Sequence, residues 1–273
     1  MEIILDYKQS LINLETMSKI NLDESNSYST LKNLLKKTIV PFNILTLKKG
    51  MYIYRARRNS NNKLFRKKEH ISYRKDIFKI KEFGRANRPG QSIFYGSHKS
   101  ETAIFETSSL FNKGKFHIGN EIITLGKWYV NKNIDILGII SDKGAMTLEP
   151  SLSSLYSRSL NHPLSDDLAQ KILEFFSKEF SKNVKEYTSQ YKISCAYFNY
   201  IINKFSNNRL LGVAYPSVEY EYKDLNVALL PKAVDDSLIL DTVAEFEVNT
   251  KNMTVFQIGL ADIERFNQKK IQI

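Results

Sequence analysis

The stretch Gly84-Arg85-Ala86-Asn87-Arg88-Pro89-Gly90-Gln91-Ser92-Ile93-Phe94-Tyr95, running on through Ser100-Glu101-Thr102-Ala103-Ile104-Phe105-Glu106, constrains the fold more than any other part of the chain. Glycine and proline punctuate a loop as far as Gly90, a short buried strand follows, and Ser100 stands where it can cap a helix that carries Glu106. A loop, strand and helix in so few residues make one rigid unit that brings Arg85, Tyr95 and Glu106 close, so the rest of the chain has to cover it. A guanidinium, a phenol and a carboxylate held together in this way can grip a phosphate, stack on an aromatic ring and hold a ribose hydroxyl. That combination suits a nucleotide.

At 273 residues, 42% hydrophobic and 12% aromatic, the chain can build one large domain or two small ones. No window approaches the roughly 18–20 apolar residues that span a bilayer. The N-terminus lacks the order of a signal peptide, and the single Cys195 excludes an intrachain disulfide and a cysteine zinc cluster. A cytoplasmic chain, not associated with a membrane, is the expectation. The net charge of +11, from 40 Lys and Arg against 29 Asp and Glu, favours anionic partners: nucleic acid, an acidic protein or a phosphorylated small molecule. Part of it is explained equally well by a lysine-rich solvated surface.

Residues 1–45 read as an N-terminal helical extension, with a helix from Ser29 through Leu31, Leu34, Leu35 and Ile39 that Pro41 stops. Met51–Arg58 reads as a strand, and Arg55, flanked by apolar and small residues, points into or beside the core, where a charge needs a partner. From Arg55 to Arg85 twelve basic residues face three acidic ones, with Phe65, Tyr73, Phe78 and Phe83 interleaved. A solvated loop, a basic lid over a phosphate-bearing ligand and a single-strand nucleic-acid platform all share that composition.

Further on, Ile122–Val130 and Ile134–Ile140 are strand candidates, and 141–163 is a Ser-rich excursion bracketed by Pro150 and Pro163. Helices follow from Ser165-Asp166-Asp167 through Phe180 and over 191–205, and their apolar stripes fit core packing. The last third alternates strand and turn: Leu211–Val218, Asn226–Leu230, Leu238–Glu247 and Met253–Leu260. Ser217 closes the first of these at a Pro-Ser turn, either bonding locally or presenting its hydroxyl for chemistry. No P-loop or Rossmann glycine motif is present. The four histidines (His70, His98, His117, His162) show no metal spacing, although His98 lies near Tyr95.

Taken together, Tyr54-Arg55-Ala56-Arg57, then Gly84 to Gly90, then Phe94-Tyr95-Gly96-Ser97 with Glu101 to Glu106, then Tyr215-Pro216-Ser217 with Asn226-Val227-Ala228-Leu229, resemble the RES domain family, over residues 48–260. Its members are mostly bacterial toxins of toxin–antitoxin pairs that consume NAD, with a fold like that of ADP-ribosyltransferase toxins. The resemblance implies an α/β (α+β) fold, a twisted, mostly antiparallel core sheet with flanking helices, in a catalytic domain spanning 46–273.

It places Arg55 and Arg85 at the family's arginines and Tyr95, Glu106 and Ser217 at its tyrosine, glutamate and serine. Arg85, Tyr95, Glu106 and Ser217 are thereby the expected catalytic set, and Arg55, Arg85, Tyr95 and Asn87 the expected NAD-binding set. NAD would be a substrate, with no resident cofactor or metal, and water or inorganic phosphate would be the acceptor. The implied role is that of an NAD glycohydrolase or phosphorylase with a protein antitoxin over its active site, and with room for a homodimer. ADP-ribose transfer onto a macromolecule is the rival within the same chemistry, and a non-catalytic nucleic-acid-binding module the rival outside it. The long basic stretch, the 141–163 excursion and residues 1–45 depart from compact family members.

Overall fold

A computed structural model describes residues 6–59, 65–108, 120–139, 167–182, 184, 187–205, 209–217, 224–249 and 254–262. The 141–163 excursion lies outside the described residues. The chain is α/β, with strands in both parallel and antiparallel pairings and flanking helices, and it divides into two compact units. The first takes residues 1–46, 76–91 and 135–218, and the second 47–75, 92–134 and 219–273. No helix among the described residues is long and apolar enough to cross a membrane.

In the first unit, helices α1 (Tyr7–Ser18), α2 (Ser27–Leu35), α5 (Asp167–Phe180) and α6 (Lys192–Phe205) accompany strands β1 (Asn43–Leu47), β5 (Ile134–Gly138) and β6 (Gly212–Pro216). The strands run in the order β1-β5-β6, with β5 parallel to β6. Of the apolar stripe predicted over 165–180 (Leu168, Ile172, Phe175, Phe176 and Phe180), Ile172, Phe176 and Phe180 are buried and Leu168 and Phe175 half-buried, and Tyr197 of α6 stacks on Phe176 with 3.9 Å between ring centroids.

The N-terminal segment expected as an extension packs here: α1 lies against α5 and α2 against α6. Helix α2 starts at Ser27 rather than Ser29. Its start is held by the buried Lys192, whose Nζ donates to Leu22 O (2.6 Å), Glu24 O (3.0 Å) and Ser27 Oγ (2.8 Å). Three acceptors around one ammonium offset the desolvation of that charge.

The second unit holds β2 (Tyr52–Arg58), α3 (Lys68–Ile71), β3 (Phe94–Ser97), α4 (Ser100–Thr107), β4 (Asn120–Val130), β7 (Leu225–Leu229), α7 (Pro231–Ser237), β8 (Leu238–Asn249) and β9 (Thr254–Asp262). Its strands run β7-β3-β2-β4-β8-β9, and each neighbouring pair is antiparallel. Helix α4 packs on one face through Ala103 and Ile104, against Ile123, Leu125, Val248, Tyr54 and Ala56.

The pairing between β2 and β3 is confined to Tyr54 with Ser97. The pairs that would follow, Arg55 with Gly96 and Ala56 with Tyr95, do not form. Side chains take the carbonyls of the second pair instead: Thr107 Oγ1 donates to Ala56 O (3.3 Å) and Arg55 Nη1 donates to Tyr95 O (2.5 Å). Backbone groups denied a ladder partner must find another, and here they fix the C-terminal end of α4 and a half-buried arginine at a fork in the sheet.

Candidate active site

Arg55, Tyr95 and Glu106 all belong to the second unit and flank that fork, Tyr95 and Glu106 on the face of α4 and Arg55 on the face opposite. Alternation along β2 puts Arg55 on the face opposite Tyr54. Its guanidinium lies 5.0 Å from the centroid of the Phe94 ring, and its Nε is enclosed without a hydrogen-bond partner among the described residues. Burial, and then the neighbouring charge of Arg57, push its pKa down to about 9. A charge kept in such a place while one of its donors goes unsatisfied is an expensive feature for a purely structural residue.

Tyr95 pairs with Ala228 and Ser97 with Asn226, so all four side chains share the face on which α4 packs. On that face Ser97 Oγ donates to Asn226 Oδ1 (2.7 Å), and Asn226 Nδ2 donates to Glu106 Oε1 (2.7 Å). The carboxylate of the expected catalytic glutamate is thus held by a strand residue 120 positions away in sequence. One helical turn earlier, Thr102 Oγ1 donates to Asp224 Oδ2 (2.6 Å), which also accepts from the Lys99 N–H (3.2 Å).

Asp224 is fully buried and supplies the acceptor at the N-terminus of α4. This corrects the expectation for Ser100, which is the first helical residue and donates to Glu101 Oε2 (2.8 Å) instead of capping. The reason is positional: an N-cap precedes the helix, and here Lys99 occupies that place with no side-chain acceptor of its own. His98 places Nδ1 3.4 Å from the other oxygen of Asp224.

Arg85, Asn87 and Ser217 belong to the first unit. Arg85 Nε donates to Phe180 O (2.9 Å) and Nη2 to Lys182 O (3.2 Å), so its guanidinium meets the carbonyl end of α5, with Tyr191 (5.1 Å) and Tyr215 (5.7 Å) beside it. A cation at a helix C-terminus is favourable. Asn87 closes its own loop, donating to Glu82 O (3.2 Å) and Arg88 O (3.3 Å). Gly90 ends that loop at a φ of 75°, a left-handed conformation that glycine adopts without strain. Ser217 is fully buried just after β6.

The basic stretch from Arg55 to Arg85 divides between the units after Lys75. In the second unit, Arg57 donates to the His70 carbonyl and faces the Phe65 ring at 5.2 Å, while Tyr73 donates to Asp235 (2.7 Å). In the first, Phe78 is 81% exposed. Among the described residues no group of three or more His, Cys, Asp or Glu could hold a metal ion.

Ser97 and Asn226 stand in the stretches that carry the resemblance, but neither they nor Asp224 and Thr102 were given a role from the sequence, because their meaning is a contact between distant segments. No protein-family model matches this chain, and neither does any curated protein.

Proposed function

We propose that the protein cleaves the bond between nicotinamide and ribose in NAD, as a growth-inhibiting toxin of the RES type with an ADP-ribosyltransferase-like catalytic domain, held in check by a protein antitoxin. The observation that supports this reading is the held carboxylate: Glu106 bonded to Asn226 at 2.7 Å, on the face that carries Tyr95, beside the fork where Arg55 is enclosed. In the proposed reaction the pyridinium leaves as neutral nicotinamide, taking the electron pair of the C–N bond, so no strong general acid is required. Positive charge develops on the ribose, and the Glu106 carboxylate stabilises it, an electrostatic role worth a few kcal/mol. Arg55 offers a cation to the phosphates, and Tyr95 an aromatic surface for the nicotinamide end. A new bond from the ribose carbon to an acceptor oxygen completes the step. Water gives ADP-ribose and releases a proton; hydrogen phosphate gives ADP-ribose phosphate.

Purified protein given NAD is expected to release nicotinamide, and Glu106→Gln to lose that activity while remaining folded. Repeating the assay with and without inorganic phosphate, and separating the products, identifies the acceptor. Full turnover by Glu106→Gln would overturn the assignment. Labelled ADP-ribose on macromolecules would favour the transferase. Salt-sensitive oligonucleotide binding without nicotinamide release would favour the basic binding module.

A further inference from the structure

We infer that Asn226 is a positioning residue that aims the Glu106 carboxylate, and that Ser97 sets which way the Asn226 amide points. The inference rests on the proposed cleavage of NAD at Glu106 and extends it to two residues outside the expected catalytic set. An amide side chain has a donor end and an acceptor end, and its direction here follows from chemistry. An ionised carboxylate only accepts, so the NH2 of Asn226 has to face Glu106. The amide oxygen then faces Ser97, whose hydroxyl donates to it. Hydroxyl, amide and carboxylate form one directed chain, with bonds of 2.7 Å at both steps. Ser97 and Asn226 are 2% and 4% exposed, so water competes little for either bond.

The strand holds the helix at a second point. Asp224, the residue before β7, and Asn226 on it are two residues apart, about 6.6 Å at the usual rise of extended chain. Thr102 and Glu106 are four apart on α4, about 6 Å at the usual helical rise. The spacings agree, so Asp224 grips Thr102 while Asn226 grips Glu106. Held at two points by β7 and the residue before it, the helix can neither roll nor slide enough to carry the carboxylate away. Aspartate at position 226 would keep the shape of asparagine but set two carboxyl groups against each other, and such a pair shares a proton. Tyr54, Arg58, Tyr95, His98, Lys99, Glu101, Glu121 and Asp224 are titratable or charged groups that the elements around α4 bring to its side, and all of them remain in the variants below.

The test measures nicotinamide release by Asn226→Ala, Asn226→Asp and Ser97→Ala across pH, with the melting temperature of each. Asn226→Ala is expected to lower kcat about tenfold to a hundredfold with KM little changed, because a displaced catalytic group loses rate before binding. In Asn226→Asp the acid limb of the kcat profile is expected to move up by about one pH unit or more, a change that lost packing would not cause. Adding Ser97→Ala to Asn226→Ala is expected to cost nothing further, since both act through one chain. If both Asn226 variants keep kcat within about twofold and the same acid limb, the inference is overturned.

A second measurement does not depend on turnover. In 15N-labelled protein the Asn226 side-chain amide signals should shift in both Glu106→Ala and Ser97→Ala; signals that move in neither overturn the inference as well. Absence of nicotinamide release from the wild-type chain overturns the NAD reading itself, and the amide signals then decide alone whether Asn226 aims Glu106.

Discussion

Replacing Asp224 by alanine tests whether α4 is held from β7. The substitution removes a fully buried carboxylate that accepts from Thr102 Oγ1 at 2.6 Å and from the Lys99 N–H at 3.2 Å. Losing the acceptor at a helix N-terminus costs about 1 kcal/mol. Leaving the buried Thr102 hydroxyl without a partner costs about 1–3 kcal/mol more. Relief of the desolvated carboxylate offsets part of this, so the expected loss is about 2–4 kcal/mol.

For a chain of this size that corresponds to a fall in melting temperature of about 5–15 °C. Thermal and urea unfolding of the purified variant measure it. Thr102→Val, alone and combined with Asp224→Ala, closes a double-mutant cycle whose coupling should be about 1 kcal/mol or more. A melting temperature within about 2 °C of wild type, or strictly additive single losses, would refute the two-point grip.

Arg55→Met should abolish nicotinamide release yet leave the melting temperature within about 3 °C, because removing an enclosed charge offsets the lost bond to Tyr95 O; a fall beyond about 10 °C would make Arg55 structural. Gly96→Ala places a Cβ 2.7 Å from Ile53 Cγ2 and 3.0 Å from Tyr54 O, where β3 first meets β2, and should cost about 1–3 kcal/mol in urea unfolding. Cys195 is buried, and burial raises its pKa to about 12 from an ordinary 9. Native protein should therefore resist alkylation at a pH where the denatured chain reacts. Linkage gives the matching sign: above pH 9 the unfolded thiol ionises while the native one stays neutral up to about 12, so this group's contribution to stability falls across that window. Cys195→Ala should flatten that part of the stability profile, and an unchanged slope would contradict the burial argument.

Helices over 167–180 and 192–205 were legible because Ile172, Phe176, Phe180, Tyr197 and Ile201 repeat at helical spacing and have only one way to become buried. The strands at 52–58, 120–130 and 238–249 were legible from β-branched and aromatic runs between turn residues. Helix α1 (7–18) and strand β1 (43–47) went unread. The four buried residues of α1, Ser10, Asn13, Leu14 and Met17, include two polar ones, which hides its inner face, and β1 leaves Ile44 exposed. Of the candidate site, the stretch carrying Tyr95 and Glu106 declared itself through local turn and cap chemistry. Ser100 was misread as the cap because the true acceptor, Asp224, lies 122 residues from Thr102.

The sequence by itself determined most of the segments that become strand and helix and which residue types the candidate site has to work with, since propensity and periodicity act over a few neighbours. Tertiary structure alone decided that Arg85 meets the carbonyl end of α5, that β2 and β3 part after a single rung, and that Asn226 rather than a near neighbour holds Glu106. Each of these is a hydrogen bond or ladder position joining segments far apart in the chain. Which buried polar group satisfies which other is settled only when the backbone has brought both out of water together.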